Sequence, residues 1–156
     1  MNTTDTLLDL LRRFQTEGVE YVLVGGQAVR LNGFVRATED IDVLIRPGLE
    51  NGAKVMRALD FLPSTKELKT EWFVERADGL IENIRVADEL LIDLLFSANG
   101  ETYDSLRPHI RNVHLEDVEI HVLDIDGLLK TKTDYREKDV LDKQVLLRIK
   151  RGLEAK

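Results

Sequence analysis

The arrangement of apolar and polar positions along the first part of the chain predicts helices alternating with strands. Leucines spaced for one helical face predict a helix over residues 4–17. A continuous apolar run at 21–24 is typical of a short buried strand, and two glycines end it. A second strand is predicted over 40–45, followed by a helix over 49–60.

The rest of the chain predicts further strands, a hairpin and a helical C-terminal segment. The predicted strands cover residues 72–74, 80–86, 90–96, 113–115 and 118–123. A short helix is predicted over 102–110, and two helical segments from residue 124 onward meet near Asp134. This order predicts one mixed β-sheet with helices packed on it, in a single α/β (α+β) domain over residues 1–156.

Composition and charge narrow the classes of protein. A hydrophobic fraction of 43% predicts a globular chain, and the absence of cysteine excludes disulfides and thiolate metal sites. Without a secretion signal or a long apolar run, we expect a cytoplasmic protein without a membrane span. The net charge of −7 argues against a protein that coats nucleic acid. Residues 127–156 nevertheless have a balance of +4, typical of a solvated helix or a basic face for phosphates or RNA.

Three acidic residues are candidates for metal binding. Asp40 and Asp42 begin a predicted strand, where positions i and i+2 share a face. Two carboxylates that repel each other there suit a divalent cation, which prefers oxygen ligands, unless both are solvated on an edge strand. Asp93 lies inside the apolar run 90–96 and could join them, or it could be bonded to a helix N-terminus or a buried arginine.

The two glycines after the first strand allow close approach of a ligand to the backbone. Gly25 and Gly26 lack a Cβ, and the helix predicted behind them would offer free N–H groups to phosphate oxygens. A tight turn without a ligand is the alternative for this pair on its own.

Taken together, these segments resemble a known superfamily. A strand ending in Gly25-Gly26, followed by Asp40-Ile41-Asp42, resembles the signature of the DNA polymerase β-like nucleotidyltransferases. Residues 36–42, RATEDID, look like the R-x-T-x-D-x-D form of small prokaryotic members similar to AbiEii-type toxins. The stretch 130–142 resembles their K…R-x-K-D-x-x-D element. The resemblance implies the nucleotidyltransferase fold.

The resemblance also implies an activity and a set of site residues. It implies transfer of a nucleoside monophosphate from an NTP to an acceptor hydroxyl, with Mg²⁺ or Mn²⁺ on Asp40, Asp42 and Asp93 and with Asp93 as a candidate base. The nucleotide would be contacted by Gly25, Gly26, Arg36, Thr38, Lys132, Arg136 and Lys138. Many members have serine where Gly26 stands, so this chain lacks a hydroxyl that could contact phosphate.

The acceptor and the biological setting stay open at this level. RNA, a protein side chain or a small molecule could accept the nucleotide. The setting could be the toxin of a toxin–antitoxin or phage-defence pair, with an antitoxin or a second copy of the chain as partner. The alternative is a catalytically inactive module of the same fold that binds nucleotides or another protein.

Overall fold

The structure is a computed structural model and describes residues 3–31, 40–88 and 90–154. Within these ranges six strands form one mixed sheet. The strands are Tyr21–Val24 (β1), Asp40–Ile45 (β2), Ile84–Ala87 (β3), Leu91–Leu95 (β4), Ile110–Leu115 (β5) and Val118–Leu123 (β6). The helices are Thr3–Glu17 (α1), Gly25–Leu31 (α2), Leu49–Ala58 (α3), Tyr103–Leu106 (α4), Ile125–Thr131 (α5) and Glu137–Glu154 (α6). Short 3₁₀ turns cover Pro63–Glu67, Thr70–Phe73 and Arg107–His109.

The sheet has the strand order β3-β4-β2-β1-β6-β5. Its centre combines an antiparallel β1–β2 pair with parallel β2–β4 and β1–β6 pairs, and both outer pairs are antiparallel. All four residues of β1 are buried, so helices or loops cover both faces at the middle of the sheet. This arrangement confirms the mixed sheet predicted from the order of elements.

The core is built from the apolar stripe of α1 and the central strands. Leu10, Leu11 and Phe14 of α1 are fully buried, and the ring of Phe14 lies 5.0 Å from that of Tyr21 on β1. Complete burial of one such side chain contributes roughly 1.5–3 kcal/mol through the hydrophobic effect. The helical spacing of leucines in the sequence therefore reports the face that packs on the sheet.

The predicted strand at 72–74 is wrong, because these residues form the 3₁₀ turn Thr70–Phe73 and its exit. Phe73 is fully buried, while 42% of Trp72 is exposed. The Phe73 ring packs on that of Phe96 at 5.8 Å and fills space above Gly52, where an added Cβ would lie 2.7 Å from it. One anchoring aromatic residue, not a strand, explains this apolar triplet.

The C-terminal segment forms two helices that are separated by a short break. The predicted break near Asp134 is confirmed, since α5 ends at Thr131 and α6 begins at Glu137. Asp124 caps α5 by accepting a hydrogen bond from the backbone N–H of Gly127 at 2.7 Å.

No helix in the described ranges combines the length and apolar character that a bilayer crossing requires.

Candidate active site

Three acidic side chains share one face of the sheet near its centre. Asp40 and Asp42 are alternate residues of β2, and Asp93 pairs in register with Asp42 on the parallel neighbour β4. We refer to Asp40, Asp42 and Asp93 as the acid patch. The register brings together two residues that are 51 positions apart in the sequence, as the prediction of a shared site requires.

The electrostatics of the acid patch raise the pKa of Asp42 from 3.8 to about 7. Burial of the carboxyl group is the largest cause, followed by a hydrogen bond with Asp93 and the negative charges of Asp93 and Asp40. Lys132 acts in the opposite direction. Near neutral pH, the carboxyl group of Asp42 therefore holds a proton for part of the time.

Gly25 lies directly against Asp42, at the point where β1 passes into α2. Its φ of 68° falls in the left-handed region that glycine occupies without strain. A Cβ added there would lie 2.2 Å from Oδ2 of Asp42, which no side chain could tolerate without movement. The glycine predicted to allow close approach of a phosphate thus also allows close approach of a carboxylate.

A cleft opens beside the two glycines and Asp42. Three basic residues of the α5–α6 junction line it, Lys132, Arg136 and Lys138, and we call them the basic wall. The other lining residues are Val24, Gly25, Gly26, Asp42, Leu95, Ala98, Thr131 and Asp139. Its volume of ≈ 150 Å³ has room for about five water molecules, a size that suits a phosphate chain better than a whole nucleotide.

The basic wall is held in place by buried polar contacts. Nζ of Lys132 pairs with Oδ2 of Asp142 at 3.1 Å, and the two side chains are only 8% and 7% exposed. The carbonyl oxygen of Lys132 accepts a hydrogen bond from Asn99 at 3.0 Å. Removing one partner of such a buried pair typically lowers the stability of a protein by about 3–5 kcal/mol. Lys132 is therefore held in one position in the lining of the cleft.

Asp139 organises the loop between α5 and α6. Its Oδ2 accepts hydrogen bonds from the backbone N–H of Thr133 at 3.0 Å and from the Thr133 hydroxyl at 2.9 Å. Burial works to raise the pKa of Asp139, but these hydrogen bonds and the charges of Lys132 and Arg136 outweigh it and lower the pKa. Of the two aspartates of the K-D-x-x-D element, Asp139 thus positions the loop and Asp142 positions Lys132.

Arg85 was not among the residues predicted from the sequence, yet it contacts the acid patch. It pairs in register with Asp93 across the β3–β4 ladder. Its Nη1 lies 3.5 Å from Oδ2 of Asp93 and its Nη2 lies 3.7 Å from Oδ2 of Asp40. An arginine partner was one alternative for Asp93 in the sequence, but this arginine is 53% exposed, not buried.

The fit of a metal ion can be tested against the donor set. No group of three or more histidine, aspartate or glutamate side chains in the described part of the chain is arranged to hold a metal ion. Asp42 and Asp93 nevertheless face each other as a pair of carboxyl groups. Mg²⁺ is often held by one or two carboxylates together with substrate phosphates, so this pair fits a cation that binds with a nucleotide. The predicted set of three ligands stays a prediction.

The structure brings most of the predicted site residues together. Gly25, Gly26 and Asp42 share the cleft with the basic wall, and Asp93 adjoins it through Asp42. Arg36 and Thr38 lie outside the described residues. A second hollow of ≈ 360 Å³, with Trp72 and Ile84 in its lining, contains none of the predicted site residues.

The comparisons with known proteins show the fold. The chain is similar to TM1012 of Thermotoga maritima, a candidate nucleotidyltransferase, with a TM-score of 0.56 and 17% identity over 97% of this chain and 87% of that one. It is also similar to the lincosamide antibiotic adenylyltransferase LnuA, in its lincomycin-bound structure, with a TM-score of 0.54 and 21% identity over 94% of this chain and 98% of that one. The chain has a nucleotidyltransferase fold.

This result confirms the fold expected from the sequence resemblance. Of the signature residues, Gly25, Gly26 and Asp42 line one cleft together with the basic wall. No family model matches the sequence. No curated protein matches it either. At 17% and 21% identity the likeness concerns the fold, so the AbiEii-like subtype stays a prediction.

Proposed function

We propose that this protein transfers a nucleoside monophosphate from an NTP to an acceptor hydroxyl group, in a reaction that depends on Mg²⁺ or Mn²⁺. The observation that carries the proposal is the cleft itself. Its lining combines a carboxyl group of raised pKa, the two glycines at the end of β1 and the basic wall. Such an arrangement suits a ligand with a negatively charged chain of phosphates and an associated cation.

The proposed reaction is an in-line displacement at phosphorus. The oxygen of the acceptor hydroxyl forms a bond to the α-phosphorus, and the bond from the α-phosphorus to the oxygen that bridges to the β-phosphate breaks. Pyrophosphate leaves with the electron pair of that bond, and the hydroxyl proton passes to a carboxylate, for which we assign Asp93. When bound, the divalent cation supplies neutralisation of charge on the phosphate oxygens.

The residues of the basic wall would stabilise the leaving group. Lys132 is fixed by its buried pair with Asp142, so its charge does not need to be reoriented during the reaction. Arg136 and Lys138 line the same cleft and would pair with the outer phosphates. Positioning and neutralisation of charge account for most of the rate enhancement in phosphoryl transfer, and this cleft offers residues for both.

The likeness to LnuA supports a small-molecule acceptor. LnuA is an adenylyltransferase with lincomycin bound in its structure, and the present chain covers 98% of it. An RNA or protein acceptor would suit the alternative setting, a toxin neutralised by an antitoxin.

One observation favours a second candidate function, a catalytically inactive module that binds nucleotides or a protein. Arg85 contacts two of the three carboxylates on which the cation would depend. If that contact persists when nucleotide is present, the cleft would bind phosphates through the basic wall without transfer.

A label-transfer experiment separates the two candidates. The protein is incubated with each α-labelled NTP and Mg²⁺ or Mn²⁺, in the presence of RNA, cell lysate or a panel of small hydroxyl compounds. Asp42→Asn tests the acid patch, and Asp78→Asn, which alters an exposed aspartate beside Arg76, is the matched control. We expect pyrophosphate release and labelling of an acceptor with the wild type and the control, and neither with Asp42→Asn.

The remaining outcomes decide against the enzyme. Binding of nucleotide without release of pyrophosphate, under every acceptor, would favour the inactive module. Failure to bind both nucleotide and cation would contradict the enzyme and the nucleotide-binding module, and would leave only a protein-binding module of this fold.

A further inference from the structure

Arg85 has an unusual position for an arginine on an edge strand. Strand β3 is the outermost strand on its side of the sheet, and Arg85 pairs with Asp93 on β4. Its guanidinium reaches beyond β4 to Asp40 on β2. One exposed side chain thus bridges carboxylates from two different strands of the acid patch.

The contacts of Arg85 are loose. The distances of 3.5 Å to Asp93 and 3.7 Å to Asp40 exceed the range of about 2.7–2.9 Å that is typical of well-formed charge-assisted hydrogen bonds. The side chain of Arg85 is also 53% exposed. Because it is neither tightly bonded nor buried, it can turn into solvent at little cost, whereas Lys132 could do so only by leaving the buried carboxylate of Asp142.

Arg85 partly neutralises the acid patch in the absence of a metal ion. Without a positive charge nearby, three carboxylates on one face of adjacent strands repel each other. A divalent cation that binds Asp93 would lie within a few ångströms of the guanidinium and would be repelled by it. Cation and guanidinium therefore compete for the same carboxylate oxygens.

We infer, on the basis of the proposed function, that Arg85 is a displaceable counterion of the acid patch. It stabilises the carboxylates while the site is free of metal, and it leaves them when a divalent cation binds together with the nucleotide. Arg85 is thus a positioning residue that weakens cation binding in the absence of nucleotide.

The inference is tested by measuring Mn²⁺ binding without nucleotide, by calorimetry or by the electron paramagnetic resonance signal of free Mn²⁺. The measurement is made at about pH 8.5, above the pKa of about 7 of Asp42. Arg85→Gln should lower the Kd by about 3- to 10-fold, because one positive charge near the ion is removed. Arg85→Lys, which keeps the charge, should stay closer to the wild type.

Arg76 offers a matched control for the loss of an arginine. It is 51% exposed and pairs with Asp78 and Glu82, each at 3.4 Å, and neither partner belongs to the acid patch. Arg76→Gln should leave the Kd for Mn²⁺ within about 2-fold of the wild-type value, since solvent and salt screen an exposed charge that is paired with other carboxylates. Arg85→Met repeats the charge removal with a different side chain, in case Arg85→Gln does not fold.

Thermal unfolding in the presence of a chelator gives a second readout. Arg85→Gln should lower the Tm of the metal-free protein by about 1–4 °C, and saturation with Mn²⁺ and nucleotide should abolish this difference. An arginine that only stabilised the edge strand would lower the Tm equally in both conditions.

The outcomes distinguish this inference from the proposed function. If Mn²⁺ binds to the wild type through Asp42, but Arg85→Gln leaves its Kd unchanged or raises it, the inference is overturned and the proposed function stands. If Mn²⁺ binds neither the wild type nor Arg85→Gln, or if its binding persists when Asp42 is replaced by asparagine, the metal-dependent function and the inference fail together.

Discussion

Replacement of Asp42 by asparagine should stabilise the metal-free protein while it removes the proposed activity. In the wild type, ionised Asp42 lies next to Asp93 and Asp40, and burial further disfavours its charge. Asparagine has nearly the same shape, carries no charge, and can donate an amide hydrogen to Asp93 as the protonated acid does. The change should therefore relieve the repulsion without leaving a cavity.

The magnitude follows from the pKa of Asp42. A change from 3.8 to about 7 corresponds to about 4 kcal/mol of difference between the folded and unfolded states. Solvent access at this half-buried carboxyl lowers the value, so we expect Asp42→Asn to stabilise the protein by about 1–3 kcal/mol at pH 8.5. For 156 residues this corresponds to a rise in Tm of about 2–10 °C.

The sign of the pH dependence is fixed by the direction of the shift. Because the folded state raises the pKa of Asp42, it holds the proton more tightly than the unfolded chain does. The stability contributed by this group is fully present below pH 3.8 and is lost as the pH rises through about 7. The difference between Asp42→Asn and the wild type should accordingly be smallest below about pH 4, reach about a third of its full size near pH 5, and be largest above pH 8.

Urea unfolding in the presence of a chelator, at about pH 5 and about pH 8.5, measures the effect. Asp78→Asn is the control, since Asp78 is an exposed residue whose pKa is lowered, mainly by a hydrogen bond from the backbone of Leu80. Its replacement should not stabilise the protein at either pH. An Asp42→Asn protein that is less stable than the wild type at pH 8.5, or equally stabilised at both pH values, would refute the electrostatic description of the acid patch.

Two further substitutions test the contacts that hold the cleft together. Gly25→Ala should lower the free energy of unfolding by about 2–4 kcal/mol, because the new Cβ collides with Asp42 and alanine is strained at the positive φ of this position. Gly79→Ala is the control in urea titrations: its φ is 80° and no atom lies within 4 Å of the added Cβ, so it should lose only about 1 kcal/mol. Lys132→Met should lower the free energy of unfolding by about 3–5 kcal/mol, because it breaks the buried pair with Asp142. The double variant Lys132→Met/Asp142→Leu should restore much of this loss, because it leaves no unpaired buried charge. A Lys132→Met protein as stable as the wild type would show that the pair is not a fixed part of the cleft.

The acid patch could be predicted in part because the strand period is local. Alternation along β2 places Asp40 and Asp42 on one face whatever lies beside the strand. The pairing of Asp42 with Asp93 depends on β2 and β4 being parallel neighbours in a particular register, which no local pattern specifies. The resemblance to a known signature supplied the expectation that these acids meet, and the topology brings Asp42 and Asp93 together.

Arg85 could not be identified in the same way. A single arginine in a predicted strand is ordinarily a solvated residue, and its neighbours depend on the position of that strand in the sheet. Only the placement of β3 at the edge beside β4 brings Arg85 opposite Asp93. Similarly, the apolar triplet at 72–74 looked like a strand because its pattern does not reveal that Phe73 fills the space above Gly52.

The positive charges around the acid patch differ in how readily they can be exchanged. Lys132 is buried with Asp142, so its charge is a permanent part of the cleft and lowers the pKa of Asp42 without leaving. The exposed guanidinium of Arg85 can depart at little cost, and the proton on Asp42 is lost as the pH rises through about 7. The cleft therefore has one side whose charge is fixed and another whose charge can be replaced. A cation site requires such an exchangeable side, because an incoming cation must take the place of the positive charge that already contacts the carboxylates.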